Sequence, residues 1–163
     1  MILEDIRIRP IEVRDEVPLA ALIRKVLEEF GAARPGTVYT DPSTDRLYSW
    51  FQRERASYLV AEGPQGLAGG AGIFPLEGAD PSVCELQKMY LLPEARGLGL
   101  GRLLIERCLE RARLQGFRQC YLETMPELEN ALKVYAHLGF RYLDGPMGAT
   151  GHYACGLWML RDL

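Results

Sequence analysis

The residues most able to do chemistry in this sequence lie in a short glycine-rich segment. Gly97, Gly99 and Gly101 alternate with other residues, directly after an apolar segment and directly before an amphipathic one. Glycine lets the main chain approach a ligand closely, and the first amides of a helix have no partner inside the helix. Those amides also lie at the positive end of the helix dipole. The segment therefore predicts an anion site, and a phosphate is its natural occupant.

Two common phosphate motifs do not fit this segment. The P-loop requires glycine followed by lysine and then serine or threonine, and the chain contains no such string. The dinucleotide motif requires a third glycine where Arg102 stands. A nucleotide-phosphate domain is therefore the weaker hypothesis for this segment.

Length and composition bound the class of protein. With 163 residues, 48% of them hydrophobic and 25% charged, the chain is predicted to form one domain with a real core. A net charge of -3 and a pI near 5.5 argue against nucleic-acid binding, and no apolar run is long enough for a membrane span. The cysteines form no Cys-x-x-Cys pair, which argues against zinc or thioredoxin chemistry and favours a reduced, cytoplasmic setting. They are Cys84, Cys108, Cys120 and Cys155, and the first three lie in apolar patterns typical of buried positions.

The glycine segment must be positioned by the strand before it and the helix after it. Residues 83–92 are predicted to form the central strand, 99–115 the longest helix and 119–124 a fifth strand. Such a strand–helix–strand unit is parallel and right-handed. The alternation of the central strand breaks near Gln87 or Lys88. Either a β-bulge adds one residue there, or the strand is buried on both faces.

The remaining elements complete an α/β domain. The strand at 67–75 is rich in glycine and alanine, which predicts a close approach by a ligand or by other backbone. The second helix is predicted to bury Leu47, Trp50 and Phe51. The further predicted strands are 6–9, 57–62, 67–75, 140–143 and 154–160, and the further helices are 17–30, 43–53 and 126–137.

Two segments together resemble one family. Arg96-Gly97-x-Gly99-x-Gly101 resembles the acyl-CoA-binding motif R/Q-x-x-G-x-G/A of the Gcn5-related N-acetyltransferases (GNAT). Ala131-x-x-Val134-Tyr135-x-x-Leu138-Gly139-Phe140 resembles the family's later A-x-x-L-Y-x-x-x-G-F element, although Leu128 stands where many members carry asparagine. The order of elements also agrees along essentially the whole chain. The resemblance implies a single GNAT N-acetyltransferase domain over residues 1–163. Its fold would be α/β, with a mixed, largely antiparallel central sheet, one splayed parallel strand pair and helices on both faces.

The resemblance implies acetyl-CoA as the acyl donor and no metal. Main-chain amides from Arg96 to Arg102 would hold the pyrophosphate, and the Arg96 side chain would add a charge contact. The pantetheine arm would lie between the splayed strands and bond to backbone around Met89 and Leu91, where an amide can polarise the thioester carbonyl. The implied cofactor-binding residues are Met89, Tyr90, Leu91, Arg96, Gly97, Leu98, Gly99, Leu100, Gly101 and Arg102.

The resemblance also implies catalytic candidates. Tyr135 matches the family's tyrosine and would protonate the leaving thiolate, although a packing role alone is the alternative. Glu85 stands on the central strand where some members place a general base, and the alternative is a solvated or salt-bridged residue; Glu123 is a weaker second carboxylate. His152 precedes the last strand, where members complete the acceptor pocket, and its ordinary pKa suits base work. An exposed loop residue is the alternative for His152, and His137 is read as structural.

The implied function is transfer of an acetyl group from acetyl-CoA to a primary amine by direct attack in a ternary complex. The alternative is a catalytically silent acyl-CoA-binding regulatory module. The acceptor would be a small-molecule or peptide amine, in a pocket shaped by residues 31–46, the second helix and residues 145–153. No nucleic acid or membrane is expected as a partner, and a homodimer is possible because many family members form one.

Overall fold

A seven-stranded sheet runs through the molecule, and the computed structural model describes residues 1–163. Its strands are β1 (Arg7–Pro10), β2 (Ser57–Gly63), β3 (Gly66–Pro75), β4 (Val83–Leu91), β5 (Gln119–Thr124), β6 (Arg141–Tyr142) and β7 (Leu157–Asp162). In space they follow the order β1-β2-β3-β4-β5-β7-β6, so β4 is central. All neighbours pair antiparallel except β4 and β5, which are parallel. The mixed, largely antiparallel sheet that the sequence predicts is confirmed.

The parallel pair of strands opens soon after it starts. Pairing between β4 and β5 ends where Glu85 lies opposite Tyr121, although both strands continue beyond that point. The second half of β4 therefore has backbone groups on its β5 side with no strand partner. This opening in the middle of the sheet is the predicted splay.

Four helices cover the two faces of the sheet. They are α1 (Glu16–Glu29), α2 (Leu47–Trp50), α3 (Leu100–Leu114) and α4 (Glu129–His137). Helices α1 and α2 pack on one face, and α3 and α4 pack on the other, each pair over its own buried apolar cluster. Helix α1 buries a stripe at three- and four-residue spacing, as an amphipathic helix should. No helix is both long enough and apolar enough to cross a membrane.

The central strand contains a β-bulge. Gly70 pairs with Tyr90 and Gly72 pairs with Gln87, so β4 has one residue more than β3 between these pairs. Lys88 adopts a positive φ of 51° there, which is rare for a residue with a side chain. The extra residue explains why Leu86 and Met89 both pack on the α3 side. Of the two alternatives for the broken alternation, the bulge is confirmed.

The second predicted helix is wrong in length and in part of its buried face. Residues 43–53 do not form one helix, because Pro42–Asp45 is a 3₁₀ turn and α2 is a single turn. The Asp41 carboxylate accepts bonds from the Ser43 amide and hydroxyl, which favours a capped turn over a continued helix. Leu47 and Phe51 are buried as predicted, but Trp50 is 38% exposed.

Two other elements start three residues later than predicted, and one predicted close approach has a different cause. Helix α4 starts at Glu129 rather than at residue 126, because Leu128 has a non-helical ψ of 52°. Strand β7 starts three residues late, because Gly156 has a φ of +86° and ends the preceding turn. The small residues of β3 do allow a close approach, but the approaching groups near Gly70 and Gly72 include the Tyr58 ring rather than a ligand.

Candidate active site

The glycine segment forms a loop with a row of free amides. Gly97 and Gly99 have φ values of 74° and 82°, which a side chain would disfavour, and α3 starts directly after Gly99. The first helical bond in this region runs from the Leu103 amide to the Gly99 carbonyl. The amides from Gly97 to Arg102 donate to no other group of the protein. Together with the positive end of the α3 dipole, they form an anion site.

Gly101 has a packing role. A Cβ atom at Gly101 would lie 2.9 Å from the Met89 Cε atom and 3.3 Å from the Leu91 Cδ1 atom. The glycine therefore lets the first turn of α3 lie directly against the second half of β4. This contact brings the free amides next to the opening between the strands.

The Arg96 side chain is bound to α1 in this structure. Its guanidinium donates to both carboxylate oxygens of Glu29, at 2.7 and 2.9 Å, and to the Leu91 carbonyl. The same group lies 4.9 Å from the centre of the Phe30 ring. The nearby guanidinium lowers the pKa of Glu29. The side chain thereby fastens the loop to the helix, and its charge contact with a phosphate stays a prediction.

A cavity of about 510 Å³ lies beside the loop and the second half of β4. Leu98 is only half-buried and Leu100 is in the core, and neither side chain lines it. Both Leu128, which replaces the family's usual asparagine, and Asn130 line it. The predicted cofactor residues on its wall are Met89, Tyr90, Leu91, Arg96, Gly97, Gly99, Gly101 and Arg102.

Tyr135 lies on α4 at the wall of this cavity. Its side chain is buried and meets the Phe140 ring edge-on at 5.9 Å between centroids. No group of the protein bonds to its hydroxyl, and burial raises its pKa above the ordinary value of 10.0. The hydroxyl is therefore a protonated, unengaged donor. His137, on the last turn of α4, lies 3.5 Å from the Arg102 guanidinium instead.

A second cavity, of about 420 Å³, lies on the α1 side of β4. It is formed by β4, the loop after α1, α2 and the loop before β7, as predicted for an acceptor pocket. Glu85 and His152, which the sequence singled out separately, both line it. Glu123 lies close to both of them. One oxygen or ring-nitrogen atom from each of the three residues lies within 4.8 Å of the others, which is a spacing that could hold a metal ion.

Glu85 is a buried acid whose surroundings disfavour the charged form of its carboxyl. Only 4% of the residue is exposed, and burial raises the pKa of its carboxyl to about 8, with a further contribution from the charge of Glu123. Lys88 and the Gln87 side chain oppose this rise. A carboxyl with a pKa near neutrality can accept a proton and release it again, which is the behaviour of a general base.

Two residues of this cluster carry no signal of their own in the sequence motifs. Asp41 accepts a 2.6 Å hydrogen bond from the His152 ring and lies 3.5 Å from the Lys88 ammonium. Burial would raise the pKa of Asp41, but these two partners and Ser43 hold it below its usual range. Lys88 is buried, and burial lowers its pKa. For Lys88, the one signal in the sequence was its position where the alternation of the central strand breaks. For Asp41 the motifs gave none.

Comparison with known proteins is consistent with this geometry. Residues 22–140 match the sequence profile of the Acetyltransferase (GNAT) family. The chain is 42% identical over 156 residues to an uncharacterized N-acetyltransferase, YjgM, of Escherichia coli K12, covering 95% of this chain and 93% of the relative. A GNAT-family acetyltransferase of Staphylococcus aureus superposes with a TM-score of 0.83 at 20% identity, covering 96% and 98% of the two chains.

A further solved structure carries a ligand. It is a GNAT-superfamily phosphinothricin acetyltransferase of Sinorhizobium meliloti in complex with acetyl-CoA, with a TM-score of 0.73 at 25% identity, covering 98% of this chain and 89% of that one. The family match extends over most of the chain and includes both motif segments. The glycine loop, the bulged and splayed central strand and the tyrosine helix thus belong to a GNAT acetyltransferase, and this chain is a member of that family.

Proposed function

We propose that residues 1–163 form a single GNAT domain that transfers an acetyl group from acetyl-CoA to a primary amine by direct attack in a ternary complex. One observation carries the proposal: a cavity beside the free loop amides and a cavity lined by Glu85 flank the same central strand where it parts from β5. A donor and an acceptor held in these two places would meet at the opening.

The cofactor would bind along the loop and the strand. The pyrophosphate would accept hydrogen bonds from the free amides between Gly97 and Arg102, and the cationic side chains of Arg102 and Lys133 line the same cavity. The pantetheine arm would use the unpaired backbone of β4 after the bulge. The acetyl-CoA held by the phosphinothricin acetyltransferase, which shares this fold, supports the same donor here.

The transfer step needs a neutral amine and a protonated leaving group. Glu85, or His152 held by Asp41, would take a proton from the substrate ammonium and pass it to water. The amine nitrogen then forms a bond to the acetyl carbon while the carbon–sulfur bond breaks. Tyr135 would donate a proton to the departing thiolate and recover one from the reacted nitrogen through water.

The positions of the cysteines favour direct attack. All four are buried, and none lines either cavity. An acyl-cysteine intermediate would need an accessible thiol near the thioester. We therefore expect initial rates that vary with both substrates to give intersecting rather than parallel double-reciprocal lines.

Turnover of acetyl-CoA across a panel of amines tests the proposal. We expect thiol release that depends on the amine, together with calorimetric binding of CoA. Binding of CoA without transfer to any amine would instead support the silent regulatory module, and tight binding of ATP but not CoA would overturn both. A homodimer and a cytoplasmic location stay predictions, to be checked by light scattering and by fractionation.

A further inference from the structure

The acceptor cavity is lined by acids and by no lysine or arginine. Asp41, Glu77 and Glu85 all line it, and Glu123 reaches the same cluster from β5. Two of these acids have cationic partners, since Asp41 pairs with the buried Lys88 and Glu77 pairs with the half-exposed Arg53. Glu85 and Glu123 form no ion pair with any cationic side chain of lysine or arginine. The cavity therefore contains two carboxyl groups that form no ion pair with a lysine or arginine of the protein.

Glu85 is the most informative of these acids. It is more than nine-tenths buried and lines the cavity, yet the donors next to it serve other groups: His152 bonds to Asp41, and the Thr150 hydroxyl bonds to Glu123. The neighbouring Gln87 side chain bonds to it, and the charge of the buried Lys88 favours its ionised form without forming an ion pair. Ionising a buried carboxyl that has no ion-pair partner is costly, and a positively charged ligand beside it would lower that cost.

Part of the cavity wall is aromatic. The Trp50 ring stacks on Phe74 at 4.9 Å between centroids, and both rings line the cavity together with the exposed Tyr153. The Arg53 guanidinium lies 5.2 Å from the centre of the Phe74 ring, so this wall already attracts a cation. Aromatic faces favour cations through their quadrupole, and they offer nothing to a carboxylate.

We infer that the acceptor is a small amine that carries a second cationic group and no carboxylate, with the reacting nitrogen beside Glu85 and the second charge near Glu77 and the Trp50 ring. This inference rests on the proposed acetyl transfer for its assignment of the reacting nitrogen. Aliphatic diamines and polyamines belong to this class. A free amino acid does not, because no lysine or arginine lines the cavity to pair with its carboxylate, and the nearest lysine is buried against Asp41.

Three amines of matched length test the inference. Cadaverine has two cationic groups, pentylamine has one, and lysine equals cadaverine with a carboxylate added. We expect kcat/KM for cadaverine to exceed that for each of the other two by about tenfold or more. A factor of this size corresponds to the net free energy of one hydrogen bond to a charged group. Equal or better turnover of lysine or pentylamine would overturn the inference while leaving acetyl transfer intact.

Binding separates this inference from the proposed function. Calorimetry with the protein–CoA complex should rank cadaverine above lysine and pentylamine whether or not the protein turns over. Cadaverine binding no tighter than lysine overturns the inference. The expected ranking without any acetylated product overturns the proposed transfer but supports the charge preference.

A pair of variants locates the second charge. Glu77→Gln should reduce the preference for cadaverine over pentylamine by about threefold to tenfold, since it removes an acid and leaves Arg53 unpaired. Glu54→Gln is the matched control, because Glu54 is exposed and lines none of the described cavities. A preference that survives unchanged in Glu77→Gln overturns the placement beside Glu77.

Discussion

Replacing Glu85 with glutamine tests the electrostatics of the buried acid directly. The carboxyl has a pKa of about 8 in the folded protein, against an ordinary value of 4.5. Below about pH 4.5 it is protonated in both the folded and the unfolded chain, so it does not affect the pH dependence of stability. Between these two values the unfolded chain has lost the proton and the folded chain has kept it, and stability falls as the pH rises.

The size of this effect follows from the interval between the two pKa values. Each unit corresponds to 1.36 kcal/mol, so the wild-type protein loses on the order of 5 kcal/mol through this group by the time the pH exceeds about 8. Glutamine is neutral at every pH and removes the loss. The free energy of unfolding of Glu85→Gln minus that of the wild type should therefore increase from about pH 5 to about pH 9 and then level off.

Urea denaturation at several pH values measures this difference. Subtraction of the two proteins cancels the contributions of other titrating groups, and Glu110→Gln, an exposed substitution on α3, serves as the control that should run parallel to the wild type. Parallel curves for Glu85→Gln and the wild type would refute the reasoning, since the carboxyl would then titrate alike in both states.

Activity gives a separate readout of the same substitution. If Glu85 is the base, kcat/KM of the wild type should rise with pH towards about 8, and Glu85→Gln should lose this rise together with about a hundredfold or more of the rate. His152→Ala should then retain the rise. The reverse pattern, with the rise lost only in His152→Ala, would assign the base to the histidine.

Three further substitutions test other parts of the site. Tyr135→Phe should lower kcat by about tenfold or more, while the free energy of unfolding stays within about 0.5 kcal/mol because the hydroxyl has no partner; full kcat would show that the ring only packs. Gly99→Ala should cost about 1 kcal/mol of stability through its positive φ, and should weaken CoA binding by about tenfold in calorimetry; unchanged affinity would contradict the loop assignment. Asp41→Asn should cost about 3 kcal/mol in urea denaturation, because Lys88 stays buried without its ion-pair partner, and adding Lys88→Met should recover part of it; additive losses would argue against the pair.

Several features of the fold could be predicted because they depend on local patterns. The glycine loop needs residues that adopt a positive φ, and helix α1 needs an apolar stripe, so both are readable from spacing alone. The bulge could be predicted because one extra residue shifts the alternation of the whole strand, as the packing of Met89 shows. The length of α2 could not be predicted, because the Asp41 carboxylate accepts bonds from Ser43 that favour a separate turn there.

The catalytic candidates could be named singly from the sequence, but not as a cluster. Glu85 and His152 lie 67 positions apart in the chain and meet only because the loop before β7 folds over the strand. Arg96 could be expected near the loop, but its pairing with Glu29 depends on where α1 packs. Side-chain partners at long separation follow from the packing of the elements, which no local pattern encodes.

The sequence by itself determined the family, the glycine loop and the order of the elements, because each of these depends on residue types at short, regular spacing. Only the tertiary structure decided the electrostatics of the site. Burial raised the pKa of Glu85, and the packing of the loops brought Asp41 to Lys88 and to the His152 ring. The energy of a charge depends on the solvent it loses and the partners it gains, and both are set when the loops close over β4.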